Sequence, residues 1–378
     1  MNFTAEEKER RHTAFQAIIK ELSLEALLLI GETSVGRGLF GDFRYYTNNR
    51  TIFYRQVAGV FAQSKPVLFA GDAIQTEAAA KRSFIQDCRR ISGNLAADVL
   101  GLLRERGLSK GRIGVNLEML PAAWLLHFRK ELPEIEWVEC HEAIMRLRFD
   151  HSPEEMEVYR KGASLGDGGF EAALEVIKPG VSEYEVVAQI EQYARRRGGD
   201  EHFTLIASGK FRLGHGNSLP LVYAPSERVI ETGDCVTLEI TPRYRGYWTQ
   251  IVRSIQVGTP NHELEKLHRI CRDALSKGLE EVKPGKRIKD LVMAMDRYVV
   301  GRGYLLRPPL GHLCGVDLVE ARVSMDNEMV LTPGMAVILH PTVFTVDERN
   351  SFFAGETYLV STSGYERLNR AKDELPTV

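Results

Sequence analysis

Five polar residues in the second half of the chain could carry acid–base chemistry, and the motifs given below distinguish them from the other histidines and glutamates. They are three histidines and two glutamates: His215, Glu239, His312, His340 and Glu356. Imidazole titrates close to neutral pH, so it can take up and return a proton during a reaction. A carboxylate that orients an imidazole also sets its tautomer and basicity. This combination favours general acid–base catalysis, and the alternative is a set of polar strand residues that satisfy one another.

Charge and cysteine content exclude several other classes of function. The 49 Lys and Arg residues nearly balance the 51 Asp and Glu residues, so no strong field attracts nucleic acid or an anionic membrane. The cysteines are odd in number and never spaced as Cys-x-x-Cys, which is typical of free thiols in a reducing compartment. No apolar run reaches membrane-spanning length. We expect a cytoplasmic protein that acts on a small-molecule substrate, with no nucleic-acid or membrane partner.

The elements that position these residues are expected to form two domains. Residues 1–149 predict an α/β domain, because apolar runs typical of strands alternate with amphipathic helical patterns. Four such runs are present: residues 26–30, 57–61, 67–70 and 113–115. Residues 150–378 predict a second domain that begins with a long helix, since Ser152, Pro153 and Glu155 form a helix-starting capping box.

An internal repeat organises this second domain. Residues 174–180 (LEVIKPG) are echoed by residues 279–285 (LEEVKPG), an offset of 105 residues (279 minus 174). The same offset pairs three further positions: Tyr193 with Tyr298, Arg197 with Arg302, and Gly198 with Gly303. Each copy predicts a helix, a Pro-Gly turn, a second helix and a glycine stop, followed by a strand-rich stretch. We therefore expect a duplicated α+β unit with a ligand site between its halves.

Several motifs resemble the creatinase, prolidase and aminopeptidase P superfamily. They are Ser152-Pro-Glu-Glu155, Ile206-Ala-Ser208-Gly209, Glu231-Thr-Gly233-Asp234, Gly246-Tyr247 followed by Arg253, Gly311-His312-x-x-Gly315, and Pro333-Gly334-Met335. The resemblance implies an α+β protein in which an N-terminal α/β creatinase-N-like domain precedes a pita-bread domain, itself built by duplication.

In metal-dependent members of that superfamily, five ligands in the chain order Asp, Asp, His, Glu, Glu hold two divalent cations. The corresponding places here carry Glu239, Gln250, His312, His340 and either Gly355 or Glu356. Counting back from Gly364 without gaps puts the last ligand at Gly355, whereas a one-residue bulge would bring Glu356 inward.

These substitutions disfavour a paired-metal centre. Two cations held close together need several anionic oxygens, and the neutral amide of Gln250 is a poor bridging ligand. We therefore expect no metal cofactor. The alternative is a single divalent ion, Zn, Fe or Mn, which imidazoles and carboxylates together suit. Its ligands would be Glu239, His312, His340 and Glu356.

The resemblance also bears on the reaction. Pro308 and Val319 stand where the peptidases tend to carry substrate-binding histidines, which disfavours dipeptide cleavage. Creatinase is the precedent for this fold working without metal, with an imidazole as proton shuttle, and its histidine is matched by His215. However, Val252 and His340 replace two creatinase carboxylates, so a different substrate is implied.

We therefore predict a metal-independent, creatinase-like hydrolase of a non-peptide C–N bond. His215 would be the general acid or base, His312 and His340 would polarise substrate or water, and Glu239 and Glu356 would orient the imidazoles. Three alternatives stay open: a single-metal hydrolase or lyase, a non-catalytic binding module, and, for His215 alone, a loop histidine beside flexible glycines.

Substrate contacts are predicted from both domains. In the second domain the candidates are Gln250, Arg253, Trp248 and Tyr247, with Arg253 pairing Glu239 or a substrate acid and the aromatic rings walling the pocket. In the first, residues 43–47 resemble the family's strand-ending motif, after which a loop can reach a neighbouring subunit. This motif makes Arg44, Arg50 and Tyr54 candidates for contacts across a homodimer. The alternatives are structural roles for the strand residues and an exposed charged loop.

Overall fold

The computed structural model describes residues 3–32, 41–51, 53–201, 203–210 and 222–378. The chain divides into two units, Met1–Phe149 and Asp150–Val378. Among the described residues, no helix combines the length and the apolar character needed to cross a membrane.

The first unit has the alternating strands and helices that the apolar runs predict. In chain order its described elements are α1 (Ala5–Glu21), β1 (Ala26–Gly31), α2 (Gly41–Thr47), β2 (Gln56–Phe61), β3 (Val67–Gly71), α3 (Ala73–Arg82), β4 (Asp87–Arg90), α4 (Leu95–Glu105), β5 (Lys110–Val115), α5 (Ala122–Glu131), β6 (Glu134–Glu139) and α6 (His141–Arg148). The described strands form a sheet of order β4-β3-β2-β1-β5-β6. Each of the four predicted strands is confirmed, and the α/β class with them.

One expectation for this unit is wrong. Residues 43–47 do not end a strand but lie in α2. The Thr47 hydroxyl donates to the Phe43 carbonyl oxygen at 2.7 Å, one helical turn earlier. The rings of Tyr45 and Tyr46 are buried against Phe15 of α1, with centroids 6.3 and 4.7 Å away. Burial of this aromatic face, rather than strand propensity, sets the local structure.

The second unit begins with the predicted capping box. The Ser152 hydroxyl accepts a hydrogen bond from the Glu155 amide at 3.2 Å, and the Glu155 carboxylate accepts one from the Ser152 amide at 2.8 Å. Two otherwise unpaired helix-end donors are thereby satisfied. A matching box at Ser182 and Glu185 starts the next helix.

The described elements of the second unit follow the repeat. They are α7 (Pro153–Val176), α8 (Glu183–Arg196), β7 (Phe203–Lys210), β8 (Asp234–Thr241), β9 (Arg243–Tyr244), β10 (Tyr247–Trp248), β11 (Ile251–Gln256), α9 (His262–Leu279), α10 (Ile288–Val300), β12 (Leu305–Arg307), β13 (Gly311–Leu313), β14 (Ala321–Arg322), β15 (Ala336–Leu339), β16 (Thr342–Phe344), β17 (Ser351–Phe353), β18 (Gly355–Val360) and β19 (Tyr365–Arg367). The main sheet has the order β14-β13-β15-β18-β11-β8-β7, with β19 paired to β18.

Two long helices cover one face of this main sheet. Gly166 of α7 lies against Ile251 of β11, and Gly278 of α9 lies against Leu339 of β15. Both sheet residues are in register with Glu356 of β18. We call this the helix face and the opposite one the site face.

Candidate active site

The register of three adjacent strands assigns the ligand places to the two faces. Val252 of β11 pairs with Glu239 of β8 on one side and with Gly355 of β18 on the other. The next residue along, Ile251, pairs with Glu356. Because successive side chains of a strand point to opposite faces, Glu239 and Gly355 belong to the site face and Glu356 to the helix face.

The two histidines of the second copy lie on the site face as well. His312 of β13 pairs with Ile338 of β15, which pairs in turn with Thr357 of β18. His340 comes two residues after Ile338, and a side chain at Gly355 would contact its Cβ. The sheet thus brings residues from both copies to a single surface.

Gln250 and Glu239 form a hydrogen-bonded pair on this surface. The Gln250 amide nitrogen Nε2 donates to Glu239 Oε1 at 2.8 Å and to the Thr241 hydroxyl at 3.1 Å. The Gln250 backbone is held by Thr357, whose hydroxyl accepts from its amide at 2.8 Å and donates to its carbonyl at 3.0 Å. The buried Gln250 Oε1 has no hydrogen-bond partner in the described part of the chain, so it can accept from a bound molecule.

The imidazoles of His312 and His340 pack edge to face. Their centroids are 5.7 Å apart at an interplanar angle of 69°, and His340 also packs on Phe353 at 4.8 Å. His312 Nδ1 donates to the Leu313 carbonyl oxygen at 3.3 Å. The buried Nδ1 of His340 has no partner among the described residues.

Burial shifts the three titrating groups in directions that follow from their charge. Removal from water raises the pKa of Glu239 to about 7, because the charged carboxylate is disfavoured. Burial lowers the pKa of His312 to about 4 and, with the neighbouring His312 ring, that of His340 to about 3. At neutral pH both imidazoles are therefore neutral, while Glu239 populates both its protonated and ionised forms.

The last ligand place has no room for a side chain. A Cβ on Gly355 would lie 2.0 Å from the Leu339 carbonyl oxygen and 2.5 Å from His340 Cα. Such contacts require the backbone itself to move. The close approach of β15 and β18 thus excludes a carboxylate from the site face at this position.

The expectation that Glu356 orients the imidazoles is not met. Its fully buried carboxylate lies on the helix face, where it pairs with Arg253, with Arg272 at 3.5 Å and with Arg367 at 3.2 Å. Burial alone would raise the pKa of Glu356, but these guanidinium groups outweigh it and hold the pKa at about 2. A bulge that would bring Glu356 inward is absent, since the β11–β18 register stays regular at this point.

Arg253 is corrected with its partner. It was expected to pair Glu239 or a substrate acid, but it is buried on the helix face. Besides Glu356, it donates to the carbonyl oxygens of Val252 at 2.9 Å and Gly355 at 3.1 Å. These contacts brace β11 against β18, so Arg253 has a structural role.

Trp248 and Tyr247, predicted to wall a pocket, pack into the core of the described part of the second unit. Both are buried to about 1–2% exposure. The Tyr247 hydroxyl donates to Glu155 of α7 at 2.5 Å, and the Trp248 ring packs on Phe203 at 5.8 Å. The packing of both rings against other core groups gives them a structural role.

Four further candidates, His215, Arg44, Arg50 and Tyr54, stay untested. His215 lies outside the described residues. Arg44 and Arg50 of the first unit are half-buried, Arg44 within α2. Tyr54, which is 42% exposed, lies against Gly71 of β3. Their proposed contacts across a homodimer stay predictions.

The donor set on the site face does not fit two metal ions. Gln250 supplies a neutral amide already bound to Glu239, and Gly355 supplies no donor. In the described part of the chain, no group of three or more His, Cys, Asp or Glu side chains is arranged to hold a metal ion. The four-ligand alternative is also incomplete, because Glu356 faces away.

Two threonines belong to the site although they were not predicted. The Thr241 hydroxyl accepts from the side-chain amide of Gln250, and the Thr357 hydroxyl accepts from its backbone amide. A signal for Thr241 was present: it comes two residues after Glu239 and so shares its face of β8. No comparable signal exists for Thr357, which depends on the pairing of β18 with β11.

Comparison with known proteins agrees with this architecture. The sequence profile of metallopeptidase family M24 matches residues 157–362, and that of the creatinase/prolidase N-terminal domain matches residues 11–149. The chain is 26% identical over 397 residues to creatinase of Bacillus sp., covering 97% of this chain and 92% of the relative. It is 30% identical over 254 residues to the Xaa-Pro dipeptidase of Pyrococcus furiosus, covering 66% and 71%.

The fold has a close structural counterpart. The Xaa-Pro dipeptidase from Bacillus anthracis superposes with a TM-score of 0.83 at 24% identity, over 98% of this chain and all of that one. The second unit is therefore a pita-bread domain. The chain belongs to the creatinase, prolidase and aminopeptidase P superfamily, metallopeptidase family M24, a family that includes hydrolases such as creatinase and Xaa-Pro dipeptidase.

Proposed function

We propose that this chain is a metal-independent hydrolase that cleaves a non-peptide C–N bond in a small polar substrate. The observation that carries the proposal is the chemistry of the site face. Where the metal-dependent members place acidic ligands, this chain has a Gln250–Glu239 hydrogen-bonded pair, a neutral imidazole and a glycine without room for a side chain.

The site residues have properties that suit hydrolysis. As water adds its oxygen to carbon and the C–N bond breaks, one proton leaves the water and one reaches the departing nitrogen. Glu239 has a pKa near 7, so its Oε2 can accept the first proton while the Gln250 amide holds Oε1. The buried Gln250 Oε1 is an acceptor for substrate N–H groups.

The second proton transfer is assigned to His215 by its resemblance to the creatinase histidine. An imidazole can protonate the departing nitrogen and take a new proton from solvent. The amino or amidino groups of a polar substrate would match the acceptors on the site face.

Substrate and metal dependence are tested together. Protein purified without chelator is assayed for metal content, then incubated with guanidino acids, ureido acids and Xaa-Pro dipeptides with and without a chelator, with products followed by mass spectrometry. We expect the protein to cleave a C–N bond of a non-peptide compound, and we expect this activity to be the same with and without the chelator. Cleavage of Xaa-Pro dipeptides that chelation abolishes would overturn the proposal. Tight binding without turnover would instead support a binding module.

The role of His215 has its own test. His215→Ala is expected to lower kcat by about 10²–10⁴-fold, the usual contribution of a general acid or base, with the fold intact by circular dichroism. His262→Ala, at a histidine of α9 that is 93% exposed, is the matched control and should retain full turnover. Equal activity of the two variants would contradict the assignment.

A further inference from the structure

A basic groove beside α9 has no part in the proposed reaction. It encloses about 610 Å³ between α9, the end of α10 and the residues after β16. Its polar lining consists of three cations, one acid, two tyrosines and a threonine: Lys266, Arg269, Arg302, Asp273, Tyr298, Tyr304 and Thr345.

None of the three cations forms an ion pair within the described residues. The Lys266 ammonium lies over the Tyr304 ring, 5.8 Å from its centroid, and Glu263 lies near it on the same helix but beyond ion-pair distance. The Arg302 guanidinium lies over the Tyr298 ring, 4.9 Å from its centroid. The Tyr298 hydroxyl donates to Asp273 at 2.5 Å. The groove lining thus has more positive than negative charge, in a protein whose net charge is −2.

An adjoining pocket of about 360 Å³ shows that arginines alone do not make such a site. It shares Arg269 and Asp273 with the groove, but its other guanidinium groups are occupied. Arg367 pairs with Asp373 at 2.6 Å and with Glu356 at 3.2 Å, and Arg272 pairs with the same two carboxylates. Internal carboxylates already pair with the guanidinium groups there, whereas the one carboxylate of the groove, Asp273, accepts from Tyr298 and forms no ion pair among the described residues.

The first copy of the repeat shows which part of the groove the fold requires. There the Arg197 guanidinium lies 3.7 Å from the Tyr193 centroid, the equivalent of the Arg302–Tyr298 stack. At the position equivalent to Arg269, however, the first copy has Ser164 (269 minus 105). The stack therefore belongs to the shared frame, while Arg269 is an addition specific to the second copy.

We propose that this groove binds a small polyanion of the phosphate or carboxylate type between Lys266, Arg269 and Arg302. The planar guanidinium of Arg269 can donate two parallel hydrogen bonds to either group. The Tyr304 hydroxyl and the Lys266 ammonium, which also line the groove, supply further donors. The ligand is distinct from the substrate, because the groove lies on α9, which packs on the helix face.

Calorimetric titration of the full-length protein at low ionic strength tests the site, with pyrophosphate and citrate as separate probes. We expect at least one to bind, and Arg269→Gln to weaken it at least about tenfold, since a charge-assisted hydrogen bond is lost. Binding of pyrophosphate alone would identify a phosphate ligand, and binding of citrate alone a carboxylate ligand.

Lys277→Gln is the control, because it makes the same charge change on the same helix at a residue that pairs with Glu280 outside the groove. It should leave the affinity unchanged. If neither probe binds at millimolar concentration, or if both variants weaken binding equally, the site does not exist. Arg269 is exposed, so its variant is expected to fold, which thermal unfolding verifies.

Discussion

In both copies of the repeat a glycine with positive φ ends the turn between two helices, at 94° for Gly180 and 86° for Gly285. Only glycine adopts this backbone conformation without strain, so both positions stay glycine. The backbone conformation does not fix the residue types on the site face in this way. Glu239 comes six residues after Gly233, and His340 comes six residues after Gly334, yet one is an acid and the other a base.

The backbone thus keeps the two glycines the same, whereas the side chains on the site face differ between the copies. The same burial acts on both residues, raising the pKa of Glu239 and lowering that of His340. In each case the neutral form is favoured, since charge is poorly solvated inside the protein. A fall in pH destabilises the protein through His340, whereas a rise in pH destabilises it through Glu239. The two copies can therefore be distinguished by the pH dependence of stability.

The largest effect is expected where the copies are joined on the helix face. Arg253 of the first copy and Glu356 of the second form an ion pair that is almost completely buried. Arg253→Met would leave the Glu356 carboxylate short of compensation and lower the free energy of unfolding by about 3–5 kcal/mol, measured by urea denaturation at pH 7.

Arg367→Met is the control for this prediction. Arg367 pairs with the same carboxylate, but its side chain is 33% exposed. Solvent can replace part of its contribution, so a loss of about 1 kcal/mol or less is expected. Equal losses in the two variants would show that Arg253 does not hold the copies together.

The fold was accessible from the sequence because its signals are local. Capping at Ser152, the Pro-Gly turns and the apolar strands depend on neighbouring residues, and each is confirmed. Two strands of the first unit escaped prediction: β4 and β6 are polar and partly exposed. Such strands have no apolar run to mark them. The helix at residues 43–47 depends on burial of its aromatic rings, which no local pattern reveals.

The site was accessible only in part, because it depends on pairing between distant strands. Motif spacing located Glu239, Gln250, His312 and His340, which the sheet brings to one face. Whether Gly355 or Glu356 faced inward could not be decided from spacing, since a one-residue shift inverts every side chain of a strand. The roles of Arg253 and Thr357 likewise depend on the pairing of β11 with β18.

The loss of stability at acid pH tests the burial of His340 in the second copy. The pKa of His340 is about 3 in the folded protein against 6.5 ordinarily. As pH falls below 6.5, the unfolded chain binds a proton that the folded one does not, so stability falls with pH. Between pH 7.5 and 4.5, the free energy of unfolding of His340→Asn should therefore fall by about 2–3 kcal/mol less than that of the wild type, measured by denaturant unfolding at both pH values.

His262→Asn is the control for the loss of stability at acid pH, since this histidine is 93% exposed and should leave the pH dependence unchanged. If His340→Asn had the same acid dependence as the wild type, the ring would already be charged or solvated. The second copy would then not differ from the first in the way its burial implies.

The smallest effect concerns Glu239 and has the opposite sign. Burial raises the pKa of Glu239 from 4.5 to about 7, so between these values the folded protein keeps a proton that the unfolded chain has released. Stability therefore falls as pH rises through this window, and the loss is complete above pH 7.

Glu239→Gln removes the ionisation and keeps an oxygen for the Gln250 amide. It should be more stable than the wild type at pH 8 by about 1–2 kcal/mol, allowing for partial solvent access, and equally stable at pH 4.5. Exposed Glu171, on α7, gives the matched variant Glu171→Gln, whose effect should not change with pH. A loss of stability at pH 8 for Glu239→Gln would mean that Glu239 is held ionised by a partner, and the proton transfer proposed for it would fail.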